Sequence, residues 1–344
     1  VVYGGTQVRR VYPAGTLPWA GDASLGYVPV GYQHEPGYPG SLTDGTGLTI
    51  ASNTTYSYYL NPGDGQIGTA STPVSNVTFI GCAFSNSGDS AACAVLDGTN
   101  ITFRYCTFQP FPFASYPPSA ENSPVPGADG YQWGIVADGT SAGDTGTYNS
   151  FCNGMTVDHC DFWGIGNGGA KLANGSSAAH PYVWTYNWIH NHRISGTDHQ
   201  DGVGSPGGGS IDHLTFGPGN NIIDLGDTQA LTWATMTNCE VSGNILGGYG
   251  YTVDLGSSGT TSSLTVTGNT YTTQYECNAG PLYDDSITSS PGFLWRGNKW
   301  LVPPGAFWGH TTYNGYFWLP GFTSSAGPSL DELAAGLVST TDFM

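Results

Sequence analysis

The sequence predicts an all-β fold, a right-handed, single-stranded parallel β-helix, and three observations carry the prediction. The first is a returning phrase. Its clearest copy is Ile101-Thr102-Phe103-Arg104-Tyr105-Cys106-Thr107-Phe108, with large apolar residues at the first, third and eighth places and Cys or Asn at the sixth. Other copies begin at Val77, Met155, Tyr182, Cys239, Leu264 and Phe293. A weaker one, from Leu214 through Phe216 to Ile222, carries one extra residue near Asn220. The second observation is spacing. The sixth place falls at residues 82, 106, 160, 187, 220, 244, 269 and 298, so most steps are 24 to 33 residues. A fixed period in this range marks stacked units of supersecondary structure. The step from Cys106 to Cys160 is 54 residues and reads as two turns with a rung between them. The third observation is alternation. Each phrase opens apolar-x-apolar, which is the period of a strand and not of a helix. Hairpin signals every 8–12 residues, the mark of a sandwich, are missing.

Each phrase then reads as a strand, a sharp bend and the start of the next strand. Asn suits the bend because it tolerates left-handed backbone geometry. Stacked Asn side chains can also hydrogen-bond from rung to rung. Cys82, Cys106 and Cys160 fit the same inward place as small buried hydrophobes.

Taken in order, residues 1–70 lack the phrase and mix Pro with Trp19, Tyr27, Tyr32 and Tyr38, which suits an irregular N-terminal cap over the open end of the coil. Coil rungs follow over 71–302. Phe108 to Ser123 is a Pro-aromatic insertion, which Pro excludes from a central strand. Gly139 to Ser150 and Gly204 to Gly209 are small-residue loops. Residues 303–344 form a second aromatic-rich cap, ending in one short helix at Leu330 to Leu337 with Ser329 as its N-cap. All of this is one solenoid domain, because each rung needs its neighbours.

Composition narrows the function. Charged residues make up 9% and aromatics 13%, a surface common in secreted glycan-handling proteins. Net charge is −18, which excludes a basic nucleic-acid stripe. It also repels polyanionic glycans unless divalent cations intervene, and clustered Asp could supply oxygen ligands for Ca²⁺. Seven Cys leave at least one unpaired, and no CxxC pair suggests zinc or redox work. No apolar run reaches membrane-spanning length. The chain begins at Val1 rather than Met, as removal of a leader or upstream region would leave it.

The polar chemistry concentrates at Gly196 to Gly204, where Asp198, His199, Gln200 and Asp201 follow one another. Aligning Ile135, Leu172, Val203, Leu231 and Val253 as core residues sets Lys171 beside Asp198 and Asp201, with Asp254 two interstrand spacings away, roughly 10 Å. Gln132, Trp133, Gln229, Tyr251 and Asp254 then flank the cluster as substrate-binding candidates. Paired carboxylates suit glycoside hydrolysis, one of them kept protonated by the other. Lys171 or His199 as base, with a cation on a uronate, suits β-elimination instead. Asp-Gly and Asp-His also cap their own turns, which is a purely structural use of the same residues. No GxSxG, P-loop or HExxH occurs, so serine hydrolase, nucleotide and zincin chemistry drop out.

The repeats, the Asp198-His199-Gln200-Asp201-Gly202-Val203 stretch and the aromatic run from Phe293 resemble the pectate-lyase-like β-helix proteins of actinobacteria and of their phages' tails. The resemblance covers about residues 70 to 322. It implies a secreted or virion-borne protein whose partner is a polysaccharide or cell-surface glycan. Asp201-Gly202-Val203 is similar to the Asp-Gly-Ile of β-helix polysaccharide hydrolases, which implies an acid/base role for Asp201. The accompanying Asp-Asp pair and Gly-His-Gly are missing, with Asp224, Asp227 and Gln229 in their place, and no Arg lies near Lys171 in the aligned rungs. Two further readings follow: a non-enzymatic tail, receptor-binding or adhesion module, which would form a homotrimer, and a Ca²⁺-dependent polysaccharide lyase.

Overall fold

A computed structural model describes residues 29–85, 91–109, 133–139, 150–190, 201–205, 209–224, 229–248, 251–256, 260–272 and 290–301. The expected aromatic C-terminal cap and its short helix lie outside these residues, as do residues 1–28. The described chain is an all-β parallel solenoid. Its named strands lie in three parallel sheets of ten, seven and ten strands, and each turn of the coil contributes a strand to successive sheets.

One turn shows the plan. Gly98–Arg104 lies in the first sheet and Thr107–Phe108, just past the bend, in the second. Trp133–Ala137 lies in the third, and Cys152–Asp158 re-enters the first, paired directly with Gly98–Arg104. The 54-residue step is therefore a single turn with no rung hidden in it. The backbone N–H of Cys106 donates to Cys160 Sγ at 3.3 Å, which confirms that the two are nearest neighbours. The extra length lies in the connections on either side of Trp133–Ala137. Strand pairing also begins before the first phrase, with Thr55–Ser57 against Val74–Ile80 and Gln66–Ile67 against Ala91–Val95.

The phrase dictates the core. Its third-place residues align in register as Tyr56, Phe79, Phe103, Val157, Trp184, Phe216, Val241, Val266 and Trp295. Its eighth-place residues include Phe84, Phe108 and Phe162, whose rings stack at 5.1 and 4.6 Å. Parallel in-register pairing repeats each side chain on the next rung, so one aromatic column becomes a continuous stack.

The sixth place forms the ladder. Asn187, Asn220, Asn244, Asn269 and Asn298 are all buried. The amide nitrogens of Asn187, Asn220, Asn244 and Asn269 donate to the amide oxygen of the next Asn at 2.9–3.0 Å. They also donate back to Val157, Trp184, Phe216 and Val241 carbonyls on the preceding rung, and Asn298 donates to Val266. Where thiols replace Asn, they use the same acceptors: Cys82 donates to the Tyr56 carbonyl and Cys106 to that of Phe79, each at 3.5 Å. The ladder thus satisfies a column of buried main-chain carbonyls that the bend leaves unpaired. The six described cysteines are free and buried. Burial pushes the thiol of Cys239 up to about 11.

The left-handed backbone falls one residue earlier than expected. Gly81, Tyr105, His159, Tyr186, Gly219, Gly243, Gly268 and Gly297, not the Asn or Cys that follows them, have positive φ. The ladder residue stays out of the left-handed region with its side chain buried, and its neighbour absorbs the bend. The non-glycine members recover part of that cost by stacking outside the coil. His159 lies between Tyr105 and Tyr186 at 4.7 and 4.9 Å.

Candidate functional site

The third sheet is built from Gln66–Ile67, Ala91–Val95, Trp133–Ala137, Gly168–Leu172, Asp201–Gly204, Gln229–Trp233 and Tyr251–Leu255. Its core register runs Ile135, Ala170, Val203, Leu231, Val253. Ala170, and not Leu172, is therefore the counterpart of Val203, and Leu172 pairs with Ala137. The expected alignment is two residues out at this one rung, because Gly168-Gly169-Ala170 offers no bulky side chain to align on.

Two columns face away from the core. The first runs Trp133, Gly168, Asp201, Gln229 and Tyr251. The second runs Val136, Lys171, Gly204, Thr232 and Asp254. Trp133 and Val136 form a buried cluster with Ala91 that is separate from the main core, which marks them as outer-face residues. All the candidate residues that are described here thus share one sheet face. Trp133, Asp201, Gln229 and the backbone of Tyr251 stand in one line; Lys171 and Asp254 stand in the next. Gln132, Asp198 and His199 lie outside the described residues.

The corrected register changes the distances. Lys171 pairs with Gly204, three residues from Asp201 along the strand. Its amine is instead 2.8 Å from Asp138 of the preceding rung. Their side chains are only 14% and 7% exposed, so this is a desolvated ion pair whose two charges depend on each other. Asp138 was not legible as its partner, because it sits just beyond the end of its strand. Asp254 lies two rungs and three residues from Asp201, a Cα separation of about 14 Å by strand geometry and not 10 Å.

Asp201 itself is fully buried, and one carboxylate oxygen accepts from the backbone N–H of Gln229 at 3.2 Å. A Cβ on Gly168 would overlap the Trp133 ring, so the indole lies across that glycine and reaches along the column toward Asp201. The arrangement is an aromatic ring lying across the glycine of the next rung, then a desolvated carboxylate and an amide side chain on the two rungs after that, with rungs about 4.8 Å apart. Trp133 and Asp201 are 2% and 0% exposed, so the ring and the carboxylate are desolvated, and Gln229 is the partly exposed member of the column.

A second polar group occupies the outer face of the second sheet, away from the Gly196 to Gly204 stretch. Asp161–Trp163 and Trp188–His190 are paired strands, with Asp161 opposite Trp188 and Trp163 opposite His190. His190 Nε2 is 2.8 Å from Asp161 Oδ1. The His190 and Trp188 rings stack at 3.5 Å. Trp163 Nε1 donates to Gln109 at 3.1 Å. The signal that would have found this group is the pair of outward residues around Phe162 and Ile189, which an inward-looking phrase search passes over.

Among the described residues, no three His, Cys, Asp or Glu side chains converge so that they could hold a metal ion. Among them, too, no helix is long and apolar enough to cross a membrane. No family model, curated protein or solved structure matches this chain.

Proposed function

We propose that this protein is a secreted or virion-borne carbohydrate-active solenoid that binds a polysaccharide along the outer face of its third sheet and cleaves it, with Asp201 as the acid/base residue. The coil is taken as right-handed, the hand favoured when right-twisted strands are linked in parallel. The observation that supports the reading is the column of Trp133, Asp201 and Gln229. A sugar ring needs an apolar plate and nearby hydrogen-bonding groups, and an extended polymer needs them repeated in line. Asp201 is a fully buried carboxyl group on this face. Asp198, four positions before Gly202, is the natural partner carboxylate for the two-carboxylate chemistry of glycoside hydrolysis.

One observation favours a second reading, a non-enzymatic tail or adhesion module. The bond from the Gln229 N–H to Asp201 is what a turn-satisfying carboxylate would make. Such a module would work as a homotrimer, which light scattering tests.

The experiment is a glycan panel assayed for new reducing ends and for the ultraviolet absorbance of unsaturated ends, with wild type and Asp201→Asn. Reducing ends without unsaturation, lost at least 100-fold in Asp201→Asn, is the expected result for a carboxylate acting as acid. Full turnover by Asp201→Asn removes Asp201 from the chemistry. Binding without turnover across the panel establishes the adhesion module.

A further inference from the structure

The outer face of the first sheet is accessible, and its charges balance where those of the whole chain do not. The second place of the phrase forms an outward column in unbroken register from Thr55 to Leu294, with Val183 as the fifth of its nine residues. Every member is exposed or half-exposed. Six of the nine are Thr, so the column presents short β-branched side chains, over which a second sheet can pack face to face. At one interstrand spacing per rung it is about 38 Å long. Leu294, at its end, is the one large apolar residue exposed among the described residues, at 37%.

The next outward column, two residues further along each strand, holds Arg104, Asp158 and Arg296. Glu240 interrupts the Thr column. The two columns therefore carry two bases and two acids, whereas the chain as a whole has seven bases and 25 acids. A net charge of −18 makes most of the surface repel a second copy, and on this face the repulsion lapses. Both charges nearest the middle are within reach of a partner. Arg104 contacts Asp158 through Nε at 3.3 Å, yet its side chain is 56% exposed. Glu240 is exposed and accepts from Ser242 Oγ at 2.6 Å.

The order of the charges selects an orientation. Arg104 lies on the third rung of the face and Glu240 on the seventh, equally far from Val183 on either side. A two-fold axis parallel to the strands, passing between the Val183 residues of two copies, sets the coils antiparallel and lays the third rung of each over the seventh of the other. Glu240 then faces Thr102 of the second copy, two residues from Arg104, and the reciprocal contact forms at the other end. Leu294 meets the methyl group of Thr55. Parallel coils would instead set each charge level with its own copy, Glu240 with Glu240 and Arg104 with Arg104, which repels.

From this we infer that the first-sheet face is a self-complementary interface, through which two copies of the chain associate as an antiparallel dimer centred on Val183 and fixed in register by two Arg104–Glu240 pairs. The dimer uses no residue of the third sheet, so it stands or falls separately from the carbohydrate reading of that sheet.

The test is sedimentation velocity on the intact chain over a range of concentrations, with wild type and charge-reversed variants. The expected result is a monomer–dimer equilibrium. Glu240→Arg, which sets like charges at both pairs, and Arg104→Glu should each weaken the dimer at least tenfold. The two substitutions together restore opposite charges and should return the dimer to within about threefold of wild type. Val183→Asp, which places two carboxylates face to face at the centre, should weaken it at least tenfold as well. Circular dichroism checks that each variant is folded. Should Arg104→Glu fail to fold through loss of its Asp158 contact, Glu240→Arg and Val183→Asp decide. A monomer at every concentration, a trimer, or a dimer indifferent to Glu240→Arg or to Val183→Asp would overturn the interface. A double variant that associates no better than the single ones would overturn it too, because the antiparallel register requires the rescue.

Discussion

Asn187 shows how much one side chain carries in this coil. Its amide accepts from the Cys160 N–H at 2.8 Å and donates to the Val157 carbonyl and to Asn220. Asn187→Leu would take their partner from the buried Cys160 N–H and Val157 carbonyl, while Asn220 keeps the backbone N–H of residue 187, a loss of about 2 kcal/mol or more. Asn187→Cys should cost roughly half of that, because thiols at 82 and 106 already bond the equivalent carbonyls. Chemical denaturation of the two variants checks the ranking, and equal losses would show that the ladder works by shape alone. Asp158 carries a pH dependence. Burial pushes its carboxyl group up, but hydrogen bonds from His159 and Thr185 and the charges of His159 and Arg104 outweigh it and hold the group below the usual carboxylate range. A lowered folded-state value means stability that is present above the unfolded-state value of about 3.9 and is lost as pH falls through the folded one. Asp158→Asn should therefore lower the melting temperature near neutral pH and flatten its fall in acid. An unchanged acid slope would contradict the assignment.

At the scale of the element, strand and bend differ in how openly the sequence declares them. The first-sheet strands and the ladder were legible because a fixed phrase repeats large residues at fixed places, and parallel pairing turns that repetition into columns. The residue that bends was less legible. Tyr105, His159 and Tyr186 look like ordinary outward aromatics, yet each takes the left-handed turn and stacks on its neighbour. Gly268 takes the same turn without a ring to stack. Gly268→Ala should destabilise by about 1 kcal/mol, the cost of a Cβ in left-handed geometry, and denaturant unfolding measures it. No loss would mean that the bend relaxes. The third sheet was least legible. The described candidates share one outward face, but Gly168-Gly169-Ala170 hides the register: Lys171 pairs with Gly204 rather than lying beside Asp201, and its ion pair is with Asp138.

For the molecule as a whole, the eight sixth-place residues mark successive turns of one coil, and the 54-residue step is one long turn rather than two. That step hid its nature because sequence distance measures chain and not rise. Cys106 and Cys160 are adjacent rungs however much chain is looped out between them. The consequence for function is geometric. Side chains far apart in sequence, Trp133, Asp201 and Gln229, come into one line along the axis, and the proposed polysaccharide binding rests on that line. The most direct measurement is hydrogen–deuterium exchange with and without a polysaccharide that the glycan panel identifies. Slower exchange in Trp133–Ala137, Gly168–Leu172, Asp201–Gly204 and Gln229–Trp233 is the predicted result. Binding that leaves all four of these strands unchanged would contradict the third-sheet face as the place where polysaccharide is held.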